Sequence, residues 1–312
     1  MTITVLGHLC LDIIKLPDGS ESDSYGGIVF SVAALANLLE SGDTIFPVFG
    51  VGKTEYDSFV ERLKIYPNVD TSGIFRLGGQ TNQVTLMYSS KEKRIECSKH
   101  VSEPISWKKI HPFLETDMVL VNMISGFDIT LETLDEIRME VREKLTPIYL
   151  DVHCLACGIN SDFTRFYRPI DRWRRWFFML HGVQMNDDEA ASIGTERFDN
   201  LTLATHVLAL NTKALHITHG ERGSTVFIDE HKNMKRFDFE GIEPEKAVDT
   251  TGCGDVFGAA YCAYYLKKKD VVSSTEFANR VASYNAQLPS SKEIDKLSIF
   301  NLDKYVNQEQ RV

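Results

Sequence analysis

The sequence predicts an α/β fold: a doubly wound, mostly parallel sheet flanked by helices, with a small β-sheet beside it. Three observations carry this. Apolar runs at residues 2–7, 44–50, 118–124 and 147–152 lack the alternation of a half-wet strand, as strands buried on both faces do. Between the last two runs, Leu131, Leu134, Ile137, Val141 and Leu145 recur at helical spacing, and strand–helix–strand order builds a parallel sheet. In residues 81–98, by contrast, Val84, Leu86 and Tyr88 alternate with polar residues, Ser89-Ser90-Lys91-Glu92-Lys93 reads as a turn, and Ile95 and Cys97 alternate again. A hairpin outside the strand–helix rhythm predicts a separate small sheet, with an ordinary edge hairpin as the alternative.

The elements follow in order. Residues 9–14 stay extended and place Asp12 just past a core strand, where open parallel sheets bind ligands. A carboxylate there accepts hydrogen bonds from substrate hydroxyls, although a turn acid facing water fits equally well. Tyr25-Gly26-Gly27 precedes residues 28–39, a run apolar nearly all round and so a buried helix; the two glycines permit close approach of a ligand. Residues 54–63 form a helix before the turn at Pro67-Asn68. His153-Cys154-Leu155-Ala156-Cys157 has a single Cys-x-x-Cys with no second pair, so two small thiols near a strand end fit better than structural zinc. Residues 165–178 read as an amphipathic helix whose arginine stems cover Tyr167, Trp173 and Trp176.

Asn186 ends a strand and suits the cap of the next helix. Residues 214–218 form a strand, and Thr218, Gly220 and Gly223 open a turn that leads to another strand over 224–228. A last helix over 276–288 carries Ala278, Val281, Ala282 and Asn285.

The most informative stretch is Asp249-Thr250-Thr251-Gly252-Cys253-Gly254-Asp255, which runs into a buried helix. Gly252 and Gly254 let backbone amides close on a ligand, and the helix behind adds free N–H groups and the positive end of its dipole. That is an anion site, best suited to phosphate. Asp255 at the same helix start can accept a proton, and a base beside a phosphate cradle points to phosphoryl transfer. Gly-x-Gly alone would equally be a turn with a helix-stabilising acid.

The whole heptad resembles the Asp-Thr-x-Gly-Ala-Gly-Asp signature of the ribokinase-like (PfkB-type) carbohydrate kinases, with Cys253 in place of the common Ala. The resemblance implies transfer of the ATP γ-phosphoryl group to a primary hydroxyl of a sugar. Asp255 would be the general base, and the amides of Gly252, Cys253 and Gly254 would form the anion hole. It further implies that Asp12, Gly26 and Gly27 bind the acceptor, together with Ser31 where the family carries Asn. Asn186 and Glu189 would organise Mg²⁺ through water, as the family's Asn-x-x-Glu element does. Thr218, Gly220 and Gly223 would lie near ATP, and Asp249 and Thr251 near a monovalent cation such as K⁺. One domain, 1–312, is implied, with a lid formed by about 12–26 and 81–100 and a homodimer through it as a further expectation.

Composition bounds the partners. A net charge of -10 excludes a general nucleic-acid or anionic-membrane binder and leaves a small-molecule substrate, a sugar or a nucleoside. Six cysteines in 312 residues, no signal peptide at Met1-Thr2-Ile3-Thr4-Val5 and no membrane-spanning apolar run predict a cytoplasmic protein. A non-catalytic ligand-binding protein on the same fold is the competing class, and the intact heptad argues against it.

Overall fold

The computed structural model describes every residue except 17, 91–92, 242–247, 289, 304 and 306–312. The expected turn at Lys91-Glu92 and the polar tail past residue 305 lie outside the described residues.

Strands β1 (Thr2–Leu6), β2 (Leu9–Lys15) and β3 (Glu21–Gly27) lead into helix α1 (Ile28–Leu38). Then come β4 (Thr44–Val51), α2 (Tyr56–Leu63), β5 (Ile74–Arg76), β6 (Asn82–Ser90) and β7 (Lys93–Lys99). The short α3 (Trp107–Ile110) precedes β8 (Met118–Asn122), α4 (Leu131–Val141), β9 (Ile148–Asp151), β10 (Cys157–Ile159) and β11 (Arg165–Tyr167). The chain continues through α5 (Trp173–Phe177), β12 (Gly182–Asn186), α6 (Asp187–Ser192), α7 (Asn200–Leu208) and β13 (Ala214–Thr218). It closes with β14 (Gly223–Glu230), β15 (Asn233–Glu240), α8 (Cys253–Lys268) and α9 (Val271–Asn285).

Among the described residues the main sheet has nine strands in the order β15-β14-β13-β12-β9-β8-β1-β4-β5. From β13 to β5 every pairing is parallel, and β14 and β15 close one side antiparallel. Successive strand residues feed opposite cores: Ile3, Val5 and Leu120 pack with α1, α8 and α9, while Leu6, Val119 and Val121 pack with α4 and α7. Burial on both faces is why these strands read as continuous apolar runs.

The second sheet, ordered β3-β2-β6-β7, stands apart from the first. Val84 and Leu86 of β6 are buried on it, and Val84 pairs with Asp12 of β2. The β10–β11 hairpin joins its β7 edge: Ser98 N–H donates to Phe163 O at 2.9 Å, and Cys97 bridges to Thr164.

Three boundaries differ from expectation. The expected helix over 165–178 is instead the strand β11 followed by the five-residue α5. Pro169 interrupts the run, and Arg172 takes a left-handed conformation (φ 52) immediately before α5. The helix expected over 54–63 starts at Tyr56. The last long helix starts at Val271 rather than Glu276, because Asp270 caps it by accepting from Ser273 N–H at 2.7 Å, and it ends at Asn285.

Candidate active site

The carboxyl ends of four neighbouring parallel strands each deliver a polar side chain: Asn122 from β8, Asp151 from β9, Asn186 from β12 and Thr218 from β13. Register aligns them, since Asn122 pairs with Asp151, Asp151 with Gln184, and Asn186 with Thr218. The first turn of α8 faces this row. Gly252 caps it in a left-handed conformation (φ 79), and no side chain caps the helix. The amides of Gly254 and Asp255 therefore have no acceptor within the helix. Cys253 N–H turns back to Thr250 O at 3.3 Å.

A cavity of about 660 Å³ opens between this row, the α8 terminus and the small sheet. Asp255 is 6% exposed at its floor. Asn122 Nδ2 donates to Asp255 Oδ1 at 2.6 Å, and Gln184 Nε2 donates to Gly254 O at 2.9 Å, so both strand ends hold the α8 turn in place. Phe30, in the first turn of α1, packs against Gly252; a Cβ at Gly252 would lie 2.3 Å from its ring. Opposite Asp255, Asp12 and Gly27 border the cavity. Gly26 lies beneath the Asp12 carboxylate, where a Cβ would come within 1.7 Å of Oδ2.

Several expected site residues stand elsewhere. Ser31 is fully buried and does not border the cavity; its hydroxyl donates to Asp255 O at 3.4 Å and accepts from Asn122 Nδ2 at 3.2 Å. Helix α1 continues under the α8 turn, so Ser31 braces Asp255 and does not face an acceptor. Cys253 is also outside the cavity wall, with Asn285 Nδ2 3.5 Å from its sulfur. Gly220 and Gly223 lie off the cavity while Thr218 borders it. Gly223 is required by packing instead: it has φ 94, and a Cβ would meet Phe239 O at 2.0 Å. Asp249 sits behind the wall, accepting from Thr251 N–H at 2.8 Å.

A family model for pfkB family carbohydrate kinases matches residues 173–296, the stretch that holds Asn186, Thr218 and the α8 turn. Over that stretch the chain is similar to the ribokinase-like carbohydrate kinases of the PfkB type. Over 282 residues the kinase is 24% identical to a protein named cytidine kinase from Thermococcus kodakarensis, covering 86% of this chain and 89% of that one. It is 34% identical to Bacillus subtilis ribokinase over 119 residues, 36% and 37% of the two chains. Its fold superposes on Giardia lamblia ribokinase with a TM-score of 0.75 at 15% identity, covering 98% of each chain. A pyrophosphate-dependent kinase in the ribokinase family gives 0.76 at 19% identity, covering 93% and 96%.

The kinase cavity is acidic, and three of its acids are held back from ionising. Burial raises Asp255 to about 6, against the opposing pull of His153 and the Asn122 hydrogen bond. Burial likewise raises Asp151 to about 7, and burial together with Asp151 raises Glu189 to about 8. Asn186 and Glu189 form a capping box: Glu189 N–H donates to Asn186 Oδ1 at 2.9 Å, and the Glu189 carboxylate accepts from Asn186 N–H and Nδ2.

Sequence reasoning missed Asn122, Asp151, Gln184 and Arg165. The first three were within reach of the strand-end rule once their strands were placed. Arg165 carried no such signal. It borders the cavity because the β10–β11 hairpin folds back onto the small sheet, where Nε donates to Ser98 Oγ at 2.6 Å and Nη1 donates to Glu96 Oε2 at 3.0 Å.

Proposed function

We propose that this kinase transfers the γ-phosphoryl group of ATP to a primary hydroxyl of a sugar, with Asp255 as general base. The observation that carries this is the placement of Asp255: buried at the cavity floor, in the same helical turn as unbonded amides that suit phosphate oxygens. The carboxylate takes the acceptor's proton as the oxygen attacks, and the free amides of the first α8 turn, Gly254 among them, hold the charge that develops on the transferring group. Asp12 and Gly27 position the acceptor, and the small sheet, over about 12–26 and 81–100 of a single 1–312 domain, closes over it as a lid.

Mg²⁺ fits this donor set. Among the described residues no three His, Cys, Asp or Glu side chains converge to bind a metal directly, but Mg²⁺ keeps most of its waters. Glu189, Asn186 and Asp151 would hold it through that water shell, where it neutralises phosphate charge. A monovalent cation beside Asp249 and Thr251 is supported by the buried Thr251 Oγ1 and Asn285 Oδ1, which have no hydrogen-bond partner among the described residues.

One consequence concerns stability. An acid protonated mainly in the folded state binds more protons folded than unfolded, so stability falls as pH rises through its folded pKa. Burial lowers His181 to about 4 and His216 to about 3, and these cost stability only as pH falls below about 6.5. From pH ~6.5 to 8, the raised His153 and the lowered Cys154 act on stability in opposite directions, so Asp151 and Glu189 set the trend: Tm should fall by a few degrees without divalent cation, and less with Mg²⁺. A Tm that rises over this range would contradict the acidic cluster.

A nucleoside acceptor is the second reading. Its support is the lining of the cavity away from Asp255: apolar Val84 and Leu86, the ring of Tyr167 and the Arg165–Glu96 pair, a surface that suits a heterocycle better than a bare sugar. The Thermococcus kodakarensis relative named cytidine kinase agrees with it. The deciding experiment measures phosphoryl transfer across a panel of sugars and nucleosides, with ATP or pyrophosphate as donor, with Mg²⁺ and with or without K⁺. Transfer from ATP to ribose or a hexose supports the first reading, and transfer to nucleosides alone supports the second. Tight acceptor binding without transfer from any donor would favour a non-catalytic binder.

Asp12→Ala should raise the acceptor KM about 10- to 100-fold, the loss of one or two hydrogen bonds to a charged group, with the KM for ATP little changed. A change confined to ATP would move the acceptor pocket elsewhere.

A further inference from the structure

The start of α8 is tied to the sheet by a buried amide that has only one way to lie. In β12, Val183 and Met185 enter the core shared with α4 and α7, so Gly182 and Gln184 face α8 on the other side. Gln184 is 2% exposed, and a buried amide must satisfy both of its ends. Its Nε2 donates to Gly254 O at 2.9 Å, and its Oε1 accepts from the Tyr149 hydroxyl at 3.2 Å. A backbone carbonyl only accepts, so turning the amide over would set two oxygens against each other at Gly254. The amide oxygen is left for Tyr149, whose hydroxyl can donate. Space for the pair is cut from both sides. A Cβ at Gly182, which pairs with Tyr149 across β12 and β9, would lie 2.6 Å from the Tyr149 ring. A Cβ at Gly258, one turn along α8 from Gly254, would lie 2.9 Å from Gln184 Oε1. Tyr149 is fully buried and stacks on Tyr261 of α8 with ring centroids 4.9 Å apart, so its hydroxyl has little freedom to swing away.

The carbonyl of Gly254 and the N–H of Asp255 belong to one planar trans peptide and point opposite ways. Fixing the oxygen therefore fixes the amide, one of those in the first turn of α8 that have no acceptor within the helix. We propose that Gln184 and Tyr149 are positioning residues for phosphoryl transfer: the Tyr149 hydroxyl sets the sense of the Gln184 amide, and that amide aligns the Gly254–Asp255 peptide so that its N–H meets the charge developing on the transferring group. The role rests on the reading of the α8 turn as an anion hole. Two groups of one residue are then held from different strands, the Asp255 carboxylate by Asn122 of β8 and the Asp255 amide through Gln184 of β12. Because the charge is fully developed only in the transition state, this alignment acts on kcat and leaves KM nearly alone.

The test measures kcat and KM in the full chain for Gln184→Met, Tyr149→Phe and the double variant, with Gly252→Ala alongside. The donor is ATP with Mg²⁺, and the acceptor is D-ribose, a hexose or a ribonucleoside, whichever the wild-type chain phosphorylates. Gln184→Met should lower kcat about 10- to 100-fold with both KM values within about threefold of wild type. Tyr149→Phe keeps the ring and its stacking and should lower kcat about 3- to 10-fold, the worth of one hydrogen bond. In the Gln184→Met background, Tyr149→Phe should change kcat by less than about twofold, because without the amide the hydroxyl has nothing to orient. Additive losses, or an unchanged kcat in Tyr149→Phe, would overturn the assignment. Near wild-type kcat in Gln184→Met beside a large loss in Gly252→Ala would overturn it too, while leaving the anion hole in place. Unchanged kcat in both, or no transfer by the wild-type chain, would reject the anion hole and the positioning role with it.

Discussion

Asp255→Asn should fold and bind ATP yet lose turnover by about 10²- to 10⁴-fold, the range that removal of a general base produces. The substitution is isosteric, and the new amide oxygen can still accept from Asn122 Nδ2, which now donates to Asp255 Oδ1 at 2.6 Å. Nothing in the packing need change. Because burial raises Asp255 to about 6, its ionised form is costly in the folded state at neutral pH, so removing the charge should raise Tm at pH 8. Loss of activity with a gain in stability separates a functional acid from a structural one. In the wild-type chain, kcat should fall tenfold per pH unit below about 6, where the base is protonated. Near-normal phosphorylation by Asp255→Asn would remove Asp255 from the base role.

The second large effect is expected at Gly252. It is held at φ 79, where a Cβ is strained, and that Cβ would lie 2.3, 2.4 and 2.6 Å from three atoms of the Phe30 ring. Phe30 is 1% exposed between α1 and α8 and has little room to retreat. Gly252→Ala should therefore shift the start of α8 and move the amides that meet the transferring group. A loss of about 10²- to 10³-fold in kcat is expected, comparable to removal of one anion-hole donor, with a stability cost of about 1–3 kcal/mol. Retained kcat with lowered stability would show that the amides of this turn do not meet the charge. Gly254→Ala is the milder control, since its Cβ would approach only Gln184 Nε2, at 3.6 Å.

These two residues were legible because their chemistry is local: glycines, a carboxylate and a helix start adjoin in sequence. Their supports were not. Asn122 reaches Asp255 across 133 positions and Arg165 reaches Glu96 across 69, and no periodicity records such pairings. Ser31 shows the opposite failure. Its place after Gly26-Gly27 pointed to the acceptor, but the helix that begins at Ile28 turns it beneath Asp255. The parallel strands were readable from apolar runs because both faces are buried. The short β11 and α5 were not, since in residues 165–178 the aromatic and arginine spacing imitates a helix and only the hairpin's docking decides otherwise.

That docking also bears on how the small sheet meets other molecules. A sheet standing apart from the main body exposes two edges, and bare edges recruit strands from neighbouring chains. At β7 the donor of Ser98 is already committed to Phe163 of the same chain, so part of that edge is sealed from within. The opposite edge, β3, begins Glu21-Ser22-Asp23, all exposed, and its charges discourage a backbone partner. Both edges thus disfavour strand addition, so self-association through this sheet is steered toward its face, leaving unchanged the strand order that frames the cavity.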